Sequence, residues 1–263
     1  MMAASMADGI TVLSNIAKEP EVIDLAWFLN SSGACIEGAG SNKLIIKGKC
    51  CLHGSEFVIT PDRIEAGTFL LAAAITRSCL SISPVIPSHV SCLIDKLSTA
   101  GCKIRKYEDC TMEVSAVPAN IGFNLLAFDV KTCPFPGFPT DLQPQAMALL
   151  STCRGLSVVE ESVFDNRMGH VRELKKLGAR IQVHGRTALI HGSDKGSSFA
   201  SALYGSRLLA RDLRGGIALV LAGLAAEGTT EVNGVAHIDR GYENLEEKLQ
   251  FLGADIKRAT PVS

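Results

Sequence analysis

The sequence predicts an α/β fold with apolar helices inside and β-sheets outside, built from a repeated unit of about 75 residues. Two recurring patterns indicate this fold. In the first, an aspartate opens an apolar, helix-like run at Asp62, Asp141 and Asp212, at intervals of 141 − 62 = 79 and 212 − 141 = 71 residues. In the second, Leu-x-x-x-Gly followed by an alternating apolar stretch occurs four times.

The three aspartates precede runs that are apolar nearly all round, at residues 68–75, 146–150 and 217–222. Helices of this kind are buried, which places them at the centre of the fold. Aspartate is a preferred N-cap residue, so each is expected to cap its helix. Glu65, three residues after Asp62, completes a capping-box pattern. Pro144, in the first turn after Asp141, is tolerated because an N–H there has no intrahelical partner.

The Leu-x-x-x-Gly pattern predicts a helix that stops at a glycine and is followed by a strand, at Gly33, Gly101, Gly178 and Gly253. The clearest continuation into a hairpin runs through 180–183, a turn at 184–186, and 187–191. A full unit is therefore a capped helix, a strand, a second helix and a hairpin.

The chain is expected to be short of this pattern at both ends. Residues 1–60 hold only the rear of a unit, beginning with a helix that ends at Gly9 and a strand at 10–13. The last unit stops at 256–258 without the return strand of its hairpin. Closing the last unit is therefore expected to need a strand from elsewhere, most simply from an absent N-terminal segment.

Composition excludes several classes of protein. The 263 residues are 47% hydrophobic with a net charge of -1, which argues against disorder and against a nucleic-acid footprint. No apolar run reaches the roughly 18 residues of a membrane span, and the first residues do not have the pattern of a signal or transit peptide. Nine cysteines without a CxxC pair favour reduced, mostly buried thiols in a cytosol-like compartment over disulfides or zinc.

Six motifs occur in a fixed order. They are Glu19-Pro20-Glu21, Pro61-Asp62-Arg63-Ile64-Glu65-Ala66-Gly67, Phe138-Pro139-Thr140-Asp141-Leu142-Gln143, Val163-Phe164-Asp165-Asn166-Arg167, Asp212-Leu213-Arg214 and His237-Ile238-Asp239-Arg240-Gly241-Tyr242-Glu243. Together they resemble the UDP-N-acetylglucosamine 1-carboxyvinyltransferases of the enolpyruvyl transferase family. The resemblance extends from Met1 to about Lys257.

This resemblance implies an inside-out α/β barrel of two lobes, each made of three units. It identifies residues 1–60 as a remnant of the first lobe and 61–263 as the second lobe, with units starting near Asp62, Asp141 and Asp212. It also implies transfer of enolpyruvyl from phosphoenolpyruvate to the 3′-hydroxyl of UDP-N-acetylglucosamine with release of phosphate, a step of peptidoglycan precursor synthesis. The small-molecule substrates are the implied ligands, with no cofactor, metal, nucleic acid or membrane. The implied compartment is the cytoplasm, or a plastid or other organelle if a longer form carries a leader.

The resemblance assigns site residues by position. Asp141 matches the carboxylate beside the attacking hydroxyl and Arg240 the arginine at the phosphoenolpyruvate site, and both are the predicted catalytic residues. The other matching positions lie in the substrate cleft: Val163, Arg63, Arg167, Asp212 and Arg214, with Glu19 and Glu21 near it. The residues alone also allow ordinary roles, namely a cap for Asp141 and Asp212, strand core for Val163, and local ion pairs for the arginines. Those pairs would be Arg63–Glu65, Arg167–Asp165, Arg214–Asp212, and Arg240 with Asp239 or Glu243.

The resemblance also implies that two functional elements are missing. These are the mobile loop with the active-site cysteine and the N-terminal lysine that contacts phosphoenolpyruvate, so the isolated chain is expected to be inactive. A longer form or another chain would have to supply the missing lobe. Two alternatives remain open: a 3-phosphoshikimate 1-carboxyvinyltransferase, and a non-catalytic truncated product that binds a ligand or a partner.

Overall fold

The computed structural model describes residues 1–49, 51–117, 125–192 and 203–259. The helices are α1 (Met2–Ser5), α2 (Pro20–Ser31), α3 (Arg63–Ile75), α4 (Ser91–Ala100), α5 (Gln143–Leu150), α6 (Val171–Lys176), α7 (Leu213–Ala225) and α8 (Leu245–Phe251). The strands are β1 (Ile10–Ser14), β2 (Cys35–Glu37), β3 (Lys43–Lys47), β4 (Cys79–Ile82), β5 (Lys103–Lys106), β6 (Met112–Ser115), β7 (Val130–Lys131), β8 (Leu156–Glu160), β9 (Arg180–His184), β10 (Thr187–His191), β11 (Arg207–Leu209) and β12 (Glu231–Asn233). In the described part of the chain, no helix has the length and apolar character needed to cross a membrane.

Helices α3, α5 and α7 pack against one another at the centre of the main core. Every residue of α5 is buried, including the polar Gln143 and Gln145. Two of these helices have a glycine where a side chain would not fit: a Cβ on Gly67 of α3 would lie 2.5 Å from Leu142 Cδ1, just before α5, and one on Gly216 of α7 would lie 2.7 Å from Ile238 Cγ1. The prediction that the apolar helices form the interior is confirmed.

The sheets repeat one topology, as the sequence repeat predicts. In each of three sheets, the first strand of a unit pairs antiparallel with the last strand, which also pairs with the strand before it: β1-β3-β2, β4-β6-β5 and β8-β10-β9. Strand β7 adds to the third sheet, parallel to β8. Alternate residues such as Val114 and Ile190 are fully buried against the helices, so the sheets form the outer layer.

The last unit differs from the others. Strands β11 and β12 form a two-stranded parallel sheet, and residues 254–258 following α8 form no strand. The strand predicted after Gly253 is therefore wrong for the described residues, because a strand needs a hydrogen-bonded partner and none of the described residues pairs with this stretch as a strand. At the other end, β1 confirms the strand predicted at 10–13, but α1 ends at Ser5 rather than at Gly9.

Residues 1–49 have a small hydrophobic core of their own, formed by α2 with the sheet β1-β3-β2. The segment that follows lies along α2 without forming a strand, and the N–H of Thr60 donates to Asp24 Oδ1 at 3.3 Å. Contacts with the rest of the chain include the ion pair Glu21–Arg63. A separate core agrees with a lobe boundary near residue 60. The division of the chain into two lobes stays a prediction.

Candidate active site

The beginnings of the three central helices lie close together. Asp141 lies just before α5 and binds Arg214, in the first turn of α7. Arg63, the first residue of α3, lines a small cavity together with Pro139 and Leu142. The exposed N–H groups and the macrodipoles make this end of the helices favourable for negative charge. Most of the predicted site residues lie here.

Two arginines hold the Asp141 carboxylate. Arg167 Nη1 donates to Asp141 Oδ1 at 2.7 Å, while Arg214 donates to Oδ2 through Nη2 at 3.0 Å and Nε at 3.2 Å. The Asp141 side chain remains 34% exposed. Burial raises the pKa of Asp141, but the charges and hydrogen bonds of Arg214 and Arg167 outweigh it, so this pKa lies below its ordinary value. The carboxylate is ionised at neutral pH, as predicted.

The expected cap at Asp141 is wrong. A 3-10 turn, Thr140–Leu142, precedes α5, and the Asp141 carboxylate accepts from arginines rather than from the backbone. Pro144 explains this, because the third residue after an N-cap normally donates its N–H to the cap and proline has none. Pro144, which the sequence analysis expects to be tolerated in the first turn, thus lacks an N–H that a cap at Asp141 would use.

Arg167 and Arg214 are themselves fixed by neighbours. Arg167 Nη1 also donates to Thr140 Oγ1 at 2.7 Å, and its guanidinium lies 4.6 Å from the centre of the Phe164 ring. Arg214 Nη1 donates to the Tyr242 hydroxyl at 3.3 Å. Two guanidinium groups therefore surround one carboxylate.

Glu161, which the sequence analysis did not select, organises the neighbouring turn. It is 1% exposed, and its carboxylate accepts from Thr132 Oγ1, Thr140 Oγ1, Val163 N and Phe164 N at 2.7–3.1 Å. Burial raises the pKa of Glu161, but these hydrogen bonds outweigh burial and lower it. Val163 is 42% exposed, so the alternative of ordinary strand core is wrong.

Arg63 lies near this cluster without contacting Asp141. It binds Glu21 through Nη2 at 2.8 Å and Nε at 3.1 Å, and its guanidinium lies 5.6 Å from the centre of the Phe135 ring. The negative charge of Asp141 is close enough to oppose ionisation of Glu21, although the pKa of Glu21 is lowered overall because Arg63 outweighs burial. The local pair with Glu65 is wrong, since Glu65 binds Lys248.

The other local pairs expected for the arginines are also wrong. Asp165 binds Arg186 instead of Arg167, and Asp212 caps α7 by accepting from Gly215 N at 2.7 Å instead of binding Arg214. Asp239 binds Arg258 at 2.8 Å instead of Arg240. The capping role of Asp212 is confirmed, and the structure does not bring Asp212 into contact with Asp141.

Arg240 is the predicted catalytic residue that the structure leaves outside the cluster. Its side chain is exposed, and its guanidinium has no ion pair or hydrogen bond with any described residue. Its segment is nevertheless tied to the cluster, because Tyr242, two residues further on, is buried and its hydroxyl contacts Arg214. Arg240 is therefore a cation without a partner among the described residues, two positions before a tyrosine that contacts Arg214.

The cavity beside Arg63 is small. The space enclosed by Arg63, Gly137 and Leu142 is about 10 Å³, too small for a ligand. A groove of about 510 Å³ lies between β4 and α8, but none of the predicted site residues lines it. Within these residues, no group of three His, Cys, Asp or Glu side chains is placed to hold a metal ion.

The cysteines outside the cluster differ from expectation, and one histidine is buried. The eight described cysteines are free thiols, but only Cys102 and Cys153 are buried, so the expectation of mostly buried thiols is wrong; Cys50 lies outside the described residues. His170 is buried beside Met147, and burial lowers its pKa to about 4.

Comparison with known proteins identifies the class. Residues 1–249 match the family model described as EPSP synthase (3-phosphoshikimate 1-carboxyvinyltransferase). Among solved structures, the enolpyruvyl transferase NikO from Streptomyces tendae superposes with a TM-score of 0.81 at 27% identity, over 97% of this chain and 58% of that one. EPSP synthase from Acinetobacter baumannii superposes with a TM-score of 0.70 at 17% identity and shares the fold. The chain belongs to the EPSP synthase family of enolpyruvyl transferases.

Curated relatives are more specific. A protein of Caldanaerobacter subterraneus subsp. tengcongensis named UDP-N-acetylglucosamine 1-carboxyvinyltransferase 2 is 49% identical over 98% of this chain and 59% of its own length. The UDP-N-acetylglucosamine 1-carboxyvinyltransferase of Gloeobacter violaceus is 50% identical over 99% of this chain and 54% of its own. The chain thus spans between half and two thirds of the length of these relatives. The resemblance and the fold class expected from the sequence are confirmed.

Proposed function

We propose that this chain provides one half of a site that transfers the enolpyruvyl group of phosphoenolpyruvate to the 3′-hydroxyl of UDP-N-acetylglucosamine. The observation that carries the proposal is the ionised Asp141 carboxylate between Arg167 and Arg214, at the point where the three central helices begin. The names of relatives at 49% and 50% identity support the sugar nucleotide as acceptor. The EPSP synthase structures are only 17% and 18% identical, which gives the shikimate alternative less support.

The reaction joins the acceptor oxygen to C2 of phosphoenolpyruvate while C3 gains a proton. The C2–O bond to phosphate then breaks and C3 loses a proton, so the products are the enolpyruvyl ether and inorganic phosphate. Asp141 accepts the hydrogen bond of the attacking hydroxyl, because an ionised carboxylate is an acceptor only. Its lowered pKa makes it a weak base in water, so proton removal requires a closed site from which water is excluded.

The cations have separate tasks in this proposal. Arg167 and Arg214 orient the Asp141 carboxylate. Arg240 binds the carboxylate or phosphate of phosphoenolpyruvate, since its guanidinium is free among the described residues and matches such groups bidentately. Val163, exposed beside the Glu161 turn, packs against the uracil nucleotide, and Arg63 with Glu21 shapes the edge of the cleft.

We further propose that the other wall of the site comes from a missing lobe, either in a longer form or on another chain. Three observations support this idea: the cavity beside Arg63 is too small for a ligand, the sheet β11-β12 has two strands where the other sheets have three or four, and the chain covers 54–59% of the length of its relatives. Free thiols at all eight described cysteines support a reducing compartment such as the cytoplasm.

Calorimetric titration of the chain with UDP-N-acetylglucosamine tests the acceptor, with shikimate 3-phosphate as the competing ligand. We expect heat of binding only with the sugar nucleotide. Arg214→Lys should abolish this heat, because lysine keeps the charge but cannot donate the two hydrogen bonds that the guanidinium makes to Asp141. Arg207→Lys is the matched control, because its pair with Glu231 lies on the surface away from Asp141. Binding of shikimate 3-phosphate alone would refute the proposed acceptor.

A phosphate-release assay with both substrates tests the missing half. We expect no turnover by the chain alone and turnover after addition of the part of the Gloeobacter violaceus relative that this chain does not match. Turnover by the isolated chain would refute the missing-lobe proposal. Binding without turnover in the combined mixture would favour the alternative of a non-catalytic binding product.

A further inference from the structure

A buried chain of hydrogen bonds leads from Asp141 into the centre of the helix bundle. Arg214 Nη1 donates to the Tyr242 hydroxyl at 3.3 Å, and the Tyr242 hydroxyl lies 2.8 Å from Thr68 Oγ1. Thr68 Oγ1 donates to the backbone carbonyl of Ile64 at 2.8 Å. Tyr242 and Thr68 are each 2% exposed, so the bonds of Thr68 to Tyr242 and to Ile64 are shielded from bulk water, whereas the Arg214 side chain is 16% exposed.

The direction of each bond follows from the number of protons. A guanidinium can only donate, so the Tyr242 oxygen accepts from Arg214. The single Thr68 proton points to the Ile64 carbonyl, which leaves Thr68 Oγ1 as the acceptor for the Tyr242 proton. Gln145 Nε2 adds donors to Thr68 at 3.3 Å and to Tyr242 at 3.5 Å. The network therefore has one orientation, in which the lone pairs of Tyr242 face Arg214.

The chain connects elements that are far apart in sequence. Thr68 belongs to α3, Gln145 to α5 and Arg214 to α7, while Tyr242 lies two residues after Arg240. A buried hydroxyl is costly without a partner, and a nonpolar residue of similar size would fill the same space. The hydroxyl of Tyr242 is placed where it fixes both the Arg214 guanidinium and the segment that carries Arg240.

We propose that Tyr242 is a positioning residue, whose hydroxyl, anchored by Thr68, holds the Arg214 fork on Asp141 and the Arg240 segment beside it. This inference builds on the proposed function but rests on contacts that exist without substrate. Asp141 is contacted by Arg167 and Arg214, and the more distant Glu21 carboxylate acts on it through its charge. A less firmly positioned Arg214 should therefore change the pKa of the Asp141 carboxyl directly.

The test is a carbon-detected NMR titration of the aspartate carboxyls in the full chain, with Asp141→Asn used to assign the Asp141 signal. In Tyr242→Phe we expect the Asp141 pKa to rise, because a less fixed Arg214 stabilises the charged form less. Thr68→Val should shift it in the same direction, and Thr68→Ser, which keeps the hydroxyl, should titrate as the unmodified chain does. Tyr107→Phe, on the exposed surface, is the matched control.

The double variant Tyr242→Phe/Thr68→Val distinguishes positioning from simple destabilisation. If Thr68 acts through Tyr242, the double variant titrates like Tyr242→Phe alone, and additive shifts would contradict the series connection. An unchanged Asp141 titration in folded Tyr242→Phe would overturn the proposal, and Thr68→Val decides it if Tyr242→Phe does not fold. These readouts need no substrate, so they can fail while the proposed enzymatic function stands.

Discussion

The starts of α3 and α7 differ from the start of α5, although all three follow an aspartate in the sequence. Asp62 accepts from Ile64 N at 2.7 Å and Glu65 N at 3.0 Å, and Asp212 accepts from Gly215 N at 2.7 Å. Within the described part of the chain, Asp141 accepts only from the side chains of Arg167 and Arg214. The two caps use their carboxylates on their own backbone, whereas Asp141 presents a charge that other elements hold in place.

Asp141 therefore has a different structural role from Asp62 and Asp212. A carboxylate that satisfies helix N–H groups is occupied by local structure, and its loss affects stability. A carboxylate gripped by arginines of another loop and another helix has a defined orientation and one partly open side. Asp141 is thus held by Arg167 of its own unit and Arg214 of the following unit, and under the proposed function this is the carboxylate that takes part in the reaction.

The largest expected effect separates Asp141 from the two caps. In the combined assay with the unmatched part of the Gloeobacter violaceus relative, Asp141→Asn should lower the phosphate-release rate by about 10²–10⁴-fold, the usual contribution of a positioned acid–base group. Asp62→Asn is the control and should retain the rate, because Asn also caps helices. Equal losses in the two variants would contradict the comparison.

The second expectation concerns His170, which packs against Gly215 at the start of α7. A Cβ on Gly215 would lie 3.1 Å from the Cβ of His170. Burial lowers its pKa from the ordinary 6.5 to about 4, so between these values the unfolded chain binds a proton that the folded chain does not. Stability is therefore complete above pH 6.5 and falls as the pH drops towards 4, by about 3 kcal/mol in total at 1.36 kcal/mol per unit.

Urea denaturation between pH 7 and pH 4 measures this slope. His170→Gln should flatten it, while His237→Gln, at an exposed position, should leave it unchanged. The lowered pKa of Asp141 acts in a lower window, since its contribution is lost only as the pH falls below about 3.8. A slope that persists in His170→Gln would show that another group titrates.

The third expectation is that the ion pair of Arg167 with Asp141 contributes more to the free energy of unfolding than an exposed ion pair does. Arg167→Leu should lower the free energy of unfolding by about 2 kcal/mol, the scale of hydrogen bonds to a charged group, because Asp141 loses one partner and Thr140 another. Arg207→Leu, whose partner Glu231 is 52% exposed, should cost under about 1 kcal/mol. Denaturant midpoints and slopes of both variants provide the measurement.

The smallest expected effect concerns the caps themselves. Asp212→Ala and Asp62→Ala should each lower the free energy of unfolding by about 1 kcal/mol, since each leaves one or two helix N–H groups without an acceptor. Asp212→Ser should recover most of the loss, because serine caps as well. If Asp212→Ala lowered the free energy of unfolding as much as Arg167→Leu does, the proposed difference between the capping aspartates and Asp141 would be contradicted.

Much of the fold was predictable because its signals are local. Apolar runs behind Asp62 and Asp212 mark buried helices, and the turn at 184–186 marks the hairpin of β9 and β10. The strand after Gly253 failed because pairing with another strand, and not local sequence, decides whether an alternating stretch becomes a strand. The end of α1 was misplaced because helix boundaries depend on capping details that few residues encode.

The site was predictable in part through resemblance, which selected Asp141, Arg167 and Arg214, while local charge pairing chose the wrong partners. Every local pair expected for these arginines failed because ion pairs form between side chains brought together by folding, at separations of 26 and 73 residues for Asp141. Glu161 was missed because nothing local distinguishes it from its neighbour Glu160. Only burial and the four donors around it mark Glu161.

The sequence alone determined the repeat, the interior helices and the aspartates that open them, because apolar periodicity and capping preferences act over a few residues. Tertiary structure alone decided which of the three aspartates keeps its carboxylate available, since that depends on Arg167 and Arg214 arriving from separate units. It also decided that Tyr242 joins the Arg240 segment to this cluster. The physical reason is that charge and buried hydroxyl groups are satisfied in three dimensions, by whichever partners the packed helices bring within reach.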